Sequence, residues 1–223
     1  MTTVTQATRL IKVGAEGQAN TYPVYLSQVR TDNPNTSFPD ECDSDYLATL
    51  GYFPVADVAQ PAGDVVTEGD PAFANGVWSQ AWVVRSFTAD EVAANLASTK
   101  SAMMDDINNK LDAALQKGFQ FAFSDTPGHV QLRDGDRGNI ASARIRADAL
   151  TTQGTTDPVM PFRDWENVTH MCTPAQIVSL SDAAYEAYLG FLGAGWTLKD
   201  AVTKAATAAD LPAVPAEITL PQS

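Results

Sequence analysis

Thr88-Ala-Asp-Glu-Val-Ala-Ala-Asn-Leu-Ala-Ser-Thr-Lys-Ser-Ala-Met-Met-Asp-Asp-Ile-Asn-Asn-Lys-Leu-Asp-Ala-Ala-Leu-Gln-Lys-Gly118 separates two stretches of different texture. Thr88 is a helix-capping residue, Glu91 three positions on completes a reciprocal capping box, and neither Gly nor Pro interrupts the run before Gly118. The spacing predicts a helix over 88–117, about 45 Å long at 1.5 Å per residue. In a seven-residue frame Ala93, Ala97, Met104, Ile107, Leu111 and Ala114 share one seam, which Lys100 interrupts. Two readings of the seam stand. It lies on the core of its own domain, or Ala97, Met104, Ile107 and Leu111 join an intermolecular coiled coil.

Before this helix, residues 1–87 alternate short apolar runs with turn formers and read as a β-rich module. Arg9-Leu-Ile-Lys-Val13 and Tyr22-Pro-Val-Tyr-Leu26 are such runs. Asp32-Asn-Pro-Asn-Thr-Ser-Phe-Pro-Asp40 reads as an ordered loop, because each residue before a proline is pushed out of the helical region. A short helix is expected over Asp45 to Leu50, closed by Gly51 in the left-handed conformation. Gly76-Val-Trp-Ser-Gln-Ala-Trp-Val-Val-Arg85 places Trp78, Trp82 and Val84 on one strand face and Val77, Ala81 and Val83 on the other. Apolar residues on both faces predict a strand covered on two sides.

After Gly118 the pattern is that of a small α+β domain, 118–211. Phe119-Gln-Phe-Ala-Phe123 and His129-Val-Gln-Leu-Arg133 alternate around the turn Thr126-Pro-Gly128 and predict a hairpin. A helix is expected from Arg137 to Leu150, then a second hairpin of Val159–Phe162 and Asn167–Met171 across Arg163-Asp-Trp-Glu166. Thr173-Pro174 opens another helix that Gly193 and Gly195 are expected to end, and Thr197 is expected to cap a last one to Ala209. Pro212, Pro215 and Pro221 keep the tail, 212–223, extended. The expected fold class is therefore α+β: a β-rich N-terminal module, a long connecting helix, and two hairpins packed with three helices.

The 223 residues carry 14 Lys+Arg against 27 Asp+Glu, a net charge of −13 spread evenly along the chain. Such a surface repels phosphate backbones and anionic lipid, which argues against nucleic acid and membrane as partners. No uncharged apolar run reaches the 18 to 20 or so residues needed to span a bilayer, and Met1–Val13 has no secretory apolar core, so folding in a cytoplasm is expected. Cys42 and Cys172 have no partner at metal-like spacing and are expected to be free thiols.

Catalytic patterns are sparse. Asp134-Gly-Asp136 lacks the bidentate glutamate of a calcium loop, since the twelfth position is Ile145, and reads as a charged turn and helix cap. His129 and His170 fall on predicted strands and would meet if the two hairpins shared one sheet, but a metal would still want a third or fourth ligand such as Cys172; they read as ordinary strand histidines, and no cofactor is expected. No Gly-x-Ser-x-Gly elbow or phosphate loop occurs, Gly14-Ala-Glu-Gly17 lacking the lysine and the context. Of the four tryptophans, only Trp165 falls at a predicted hairpin tip, where an exposed aromatic face would suit a sugar ring.

Arg30-Thr-Asp-Asn-Pro-Asn-Thr-Ser-Phe-Pro39, Leu47 to Pro54 and the tryptophan strand resemble the N-terminal module of tailed-bacteriophage virion proteins. Gly118-Phe-Gln-Phe121, Arg137-Gly-Asn-Ile140, Phe162-Arg-Asp-Trp-Glu-Asn-Val168 and Thr173-Pro-Ala-Gln176 are similar to a C-terminal domain of phage tail and tail-fibre proteins. The resemblance implies a non-enzymatic structural component of a virion, in the tail, baseplate or fibre-attachment region, present as a homo-oligomer among other virion proteins. Two alternatives are a tail-fibre assembly chaperone absent from the finished particle and a glycan-binding protein at the tail tip. In the assembly reading, Glu217-Ile218-Thr-Leu220 adds a strand to a neighbouring subunit, and removing 212–223 leaves the monomer folded.

Overall fold

The computed structural model describes residues 3–16 and 18–220; Pro221, named above, lies outside them. It is an α+β protein that divides into two compact units, Met1–Glu91 and Val92–Ser223.

In the first unit β1 (Thr3–Val4) pairs with β4 (Cys42–Asp43). A five-stranded sheet holds β2 (Leu10–Lys12), β3 (Thr21–Val24), β5 (Tyr52–Ala56), β6 (Val65–Ala74) and β7 (Val77–Arg85) in the order β3-β2-β5-β7-β6. Two short helices, α1 (Leu26–Asp32) and α2 (Ser44–Thr49), close a core of Leu10, Val24, Leu26, Val29, Leu47 and Tyr52. Gly51 ends α2 at φ +83°, as its position implies. Asn75 and Gly76, at φ 53° and 81°, make the tight turn between β6 and β7, a conformation most residues avoid.

β7 is not the covered strand that its sequence suggests. It pairs with β5 only through Val55↔Trp78 and Ala56↔Ser79, whereas its register with β6 runs on to Val65↔Arg85. Because β5 ends at Ala56, the rest of β6 and β7 is a two-stranded ribbon with no third strand beside it. Residues 57–63 lie along one face: Trp82 Nε1–H donates to the Val58 carbonyl at 2.9 Å, and the Val58 N–H donates to Gln80 Oε1 at 3.2 Å. Val77 and Val83, on the opposite face, remain 51% and 56% exposed.

The second unit begins within α3 (Ala89–Lys117) and adds β8 (Phe119–Ala122), β9 (Pro127–Val130), α4 (Asp134–Thr152), β10 (Met160–Arg163), β11 (Thr169–Cys172) and α5 (Pro174–Lys204). The capping box of α3 forms as expected, with Thr88 N–H to Glu91 Oε2 at 2.8 Å and Glu91 N–H to Thr88 Oγ1 at 3.2 Å. From 92 to 102 the helix is exposed except for Leu96 and Lys100, which are half-buried; from Ile107 it enters the core with Leu111 and Ala114. The seam therefore splits. Ile107 and Leu111 are buried in their own domain and are not interface residues, Met104 is half-buried against the same core, and Ala97 is exposed.

Two further expectations are corrected. Gly193 and Gly195 do not end a helix: α5 continues through both for 31 residues, so the two helices expected at the C-terminus are one. At Gly195 a Cβ would stand 3.3 Å from Leu111 Cδ2, so the glycine serves close packing of α3 on α5. The Thr197 hydroxyl donates back to the Gly193 carbonyl at 2.9 Å instead of capping a new helix. The tail folds onto its own unit. Ile218 is 5% exposed within the core, Leu220 packs beside it, and Glu217 pairs with Lys117 at 3.0 Å. Removing 212–223 would uncover that core, so Glu217-Ile218-Thr-Leu220 is a strap on α3 rather than a strand offered to a neighbour.

Candidate functional site

The hairpins β8–β9 and β10–β11 form separate two-stranded sheets, and side chains join them. The Trp165 N–H donates to the His129 carbonyl at 2.9 Å. Glu166 accepts the His129 backbone N–H at 3.2 Å, and its other oxygen lies 2.7 Å from His129 Nδ1. Trp165 and His129 meet almost at right angles, centroids 6.3 Å apart at 84°.

Deeper in, His170 is 1% exposed and stacks on Phe123 at 3.9 Å and 7°. Its Nδ1 lies 2.7 Å from Asp125 Oδ1 and its Nε2 3.1 Å from Asp164 Oδ2. Both ring nitrogens face carboxylates, so only the imidazolium can donate to both. Burial pulls the His170 pKa down, the two carboxylates push it up, and the upward push prevails. Asp164, whose side chain is 2% exposed, accepts the Val168 N–H at 2.7 Å through its other oxygen. Gly128 on β9 leaves room for the pair, since a Cβ there would stand 2.5 Å from Asp164 Oδ2.

This cluster has a pH signature. His170 titrates above the ordinary 6.5, so its contribution to stability is complete below that pH and is lost as pH rises through the elevated value. Asp125 is held below the ordinary 3.8 chiefly by its hydrogen bond from His170; its contribution is complete above that pH and is lost as pH falls through the depressed value. Melting temperature measured against pH should therefore fall as pH rises through this elevated value, above the ordinary 6.5, in the wild type. His170→Gln should lack that step, and equal slopes would refute the assignment.

Beside the cluster opens a cleft of about 300 Å³ lined by His129, Asp136, Asn139, Arg163 and Trp165, with Ile140 and Phe162 among its apolar walls. Asp136 and Asn139 are three apart on α4 and so share a helix face. Arg133 Nε–H donates to Asp136 at 2.7 Å, and Arg163 Nε–H to Asn167 Oδ1 at 3.2 Å. Trp165 is 46% exposed at this cleft, where its hairpin-tip position puts it. Asp134 and Asp136 sit in the first turn of α4, but the N-cap is Arg133 and no side chain caps the helix.

The histidines do not share a metal site, and among the described residues no group of three or more His, Cys, Asp and Glu could hold a metal ion. Cys172 is buried, its thiol pushed up to about 11 by burial, and it donates to the His170 carbonyl at 3.8 Å. Cys42 is buried in the other unit and unbridged. No helix among the described residues is long and apolar enough to cross a membrane.

The Val92–Ser223 unit is thus an α+β domain whose two hairpins are stapled by the buried His170–Asp164 pair and the exposed Asp125, and carried on three helices. Residues 98–218, from within α3 to the core residue of the tail, match the family described as a domain of unknown function, DUF4376. The match spans more than half of the chain, which belongs to that family. No curated protein and no solved structure matches the chain.

Proposed function

We propose that this chain is a non-enzymatic structural component of a bacteriophage virion, of the tail, baseplate or fibre-attachment region, acting by protein–protein assembly in several copies. The β6–β7 ribbon is the observation that carries this reading. Val77 and Val83 are 51% and 56% exposed on one face of the hairpin and Phe73 and Val84 60% and 47% exposed on the other, apolar surface that water penalises until another surface covers it. β6 is also the terminal strand of its sheet, with backbone groups open to pairing. Symmetric repetition multiplies such a contact. The phage-protein resemblance of the loop and of the C-terminal segments supplies the setting.

Light scattering of the purified protein is expected to return a multiple of 23.8 kDa, and Val77→Asp/Val83→Asp is expected to return the single-chain mass with the circular dichroism spectrum unchanged. Mass spectrometry of purified virions is expected to find the chain. Its absence from particles, with binding to a fibre protein beforehand, would mark an assembly chaperone instead.

A further inference from the structure

We propose that the cleft between the hairpin tips and α4 is a carbohydrate-binding site that takes one or two uncharged hexopyranose units of a larger glycan. At about 300 Å³ the cleft is at the small end of ligand sites, which suits a sugar unit better than a nucleotide cofactor. Trp165 supplies a large apolar ring at the mouth, fixed by its backbone bond to the His129 carbonyl and set at 84° to the imidazole. The C–H face of a pyranose is the complement of such a surface, and the ring's hydroxyls are the complement of what lies around it.

Asn139 presents both a donor and an acceptor, Asp136 an acceptor and Arg163 a donor fork, all lining one cleft. A hydroxyl is donor and acceptor at once, so neighbouring hydroxyls on a sugar satisfy a mixed set that a purely anionic or purely cationic ligand would not. Asp136, paired with Arg133, and Arg163 bring both signs of charge to the cleft, which suits a neutral polyhydroxylated ligand better than one of a single charge. The site is also prepared in advance. The Glu166–His129 contacts and the Asp125–His170–Asp164 cluster hold both hairpins before any ligand arrives, so little ordering entropy opposes binding.

The inference stands apart from the assembly reading, because a single chain would bind sugar as well as an oligomer would. The full chain is applied to an array of immobilised di- to tetrasaccharides of glucose, galactose, mannose, rhamnose and N-acetylhexosamines, and the best-bound free oligosaccharide is titrated by calorimetry. Trp165→Ala and Asn139→Ala are each expected to weaken binding at least tenfold, while the solution mass stays that of the wild type. Trp196→Ala, which removes a 55%-exposed tryptophan of α5 outside the cleft, is expected to bind as the wild type does. Binding to no saccharide on the array, binding undiminished in Trp165→Ala, or an equal loss in Trp196→Ala would each overturn the proposal.

Discussion

His170→Phe is expected to destabilise the C-terminal unit by about 3–5 kcal/mol, the usual loss when one partner of a buried ion pair is removed. Phenylalanine keeps a ring to stack on Phe123, so the loss falls on the charges. Asp164 would be left 2% exposed with only the Val168 N–H as a partner, an anion without a cation. Against a typical total of about 5–15 kcal/mol, this is a large fraction. Urea unfolding measures it, and a second variant makes the reading specific. In the His170→Phe background, Asp164→Asn should recover part of the stability by removing the stranded charge while keeping an acceptor for Val168. A loss under about 1 kcal/mol for the single variant, or simple additivity in the double, would mean the cluster is not an ion network.

Gly118→Ala is expected to cost about 2–5 kcal/mol, combining the penalty of a left-handed residue with that of overpacking. Gly118 closes α3 at φ +72°, and a Cβ there would stand 1.9 Å from the Val130 carbonyl oxygen. That oxygen belongs to backbone, which cannot swing aside as a side-chain end can. The end of α3 is assembled around this approach: Gly118 N–H donates to the Ala114 carbonyl at 2.7 Å, Leu132 N–H to Leu115 at 2.9 Å, and Gln131 Nε2–H to Gln116 at 2.9 Å. Carbonyls that a helix terminus leaves without partners are thus met by the returning hairpin. Gly154→Ala serves as the comparison. Gly154 has φ +77° but open space around it, so the difference between the two losses in urea unfolding isolates the steric part. Equal losses would refute the close approach.

Local chemistry made much of this fold readable. Thr88 with Glu91 and Thr173 with Gln176 form the capping boxes that begin α3 and α5, and the alternation around 119–133 and 159–171 marks both hairpins. Where the pattern misled, tertiary packing had overruled it. Gly193-Ala-Gly195 looks like a stop, yet the approach of Leu111 turns one of its glycines into a contact. The apolar run 77–84 looks buried on both faces, yet the neighbouring strand ends at Ala56 and leaves Val77, Val83 and Val84 exposed. Asn75-Gly76 was a legible turn signal for β6, which otherwise hides behind Glu68, Asp70 and Pro71. Trp165 could be placed from its hairpin alone. Asp125, Asp164 and His170 could not, because their meeting depends on how two distant hairpins dock, which no short-range spacing encodes.

The exposed beginning of α3 gives one helix two different lives. From 104 onward Met104, Ile107, Leu111 and Ala114 anchor one face of the helix to its domain, and slow amide exchange is expected there. Over 92–102 the side chains are exposed apart from half-buried Leu96 and Lys100, the latter donating to the Thr203 carbonyl at 3.0 Å, and a segment of that length is marginal by itself in water. Warming or denaturant should unwind this end first, while the remainder of the rod stays intact.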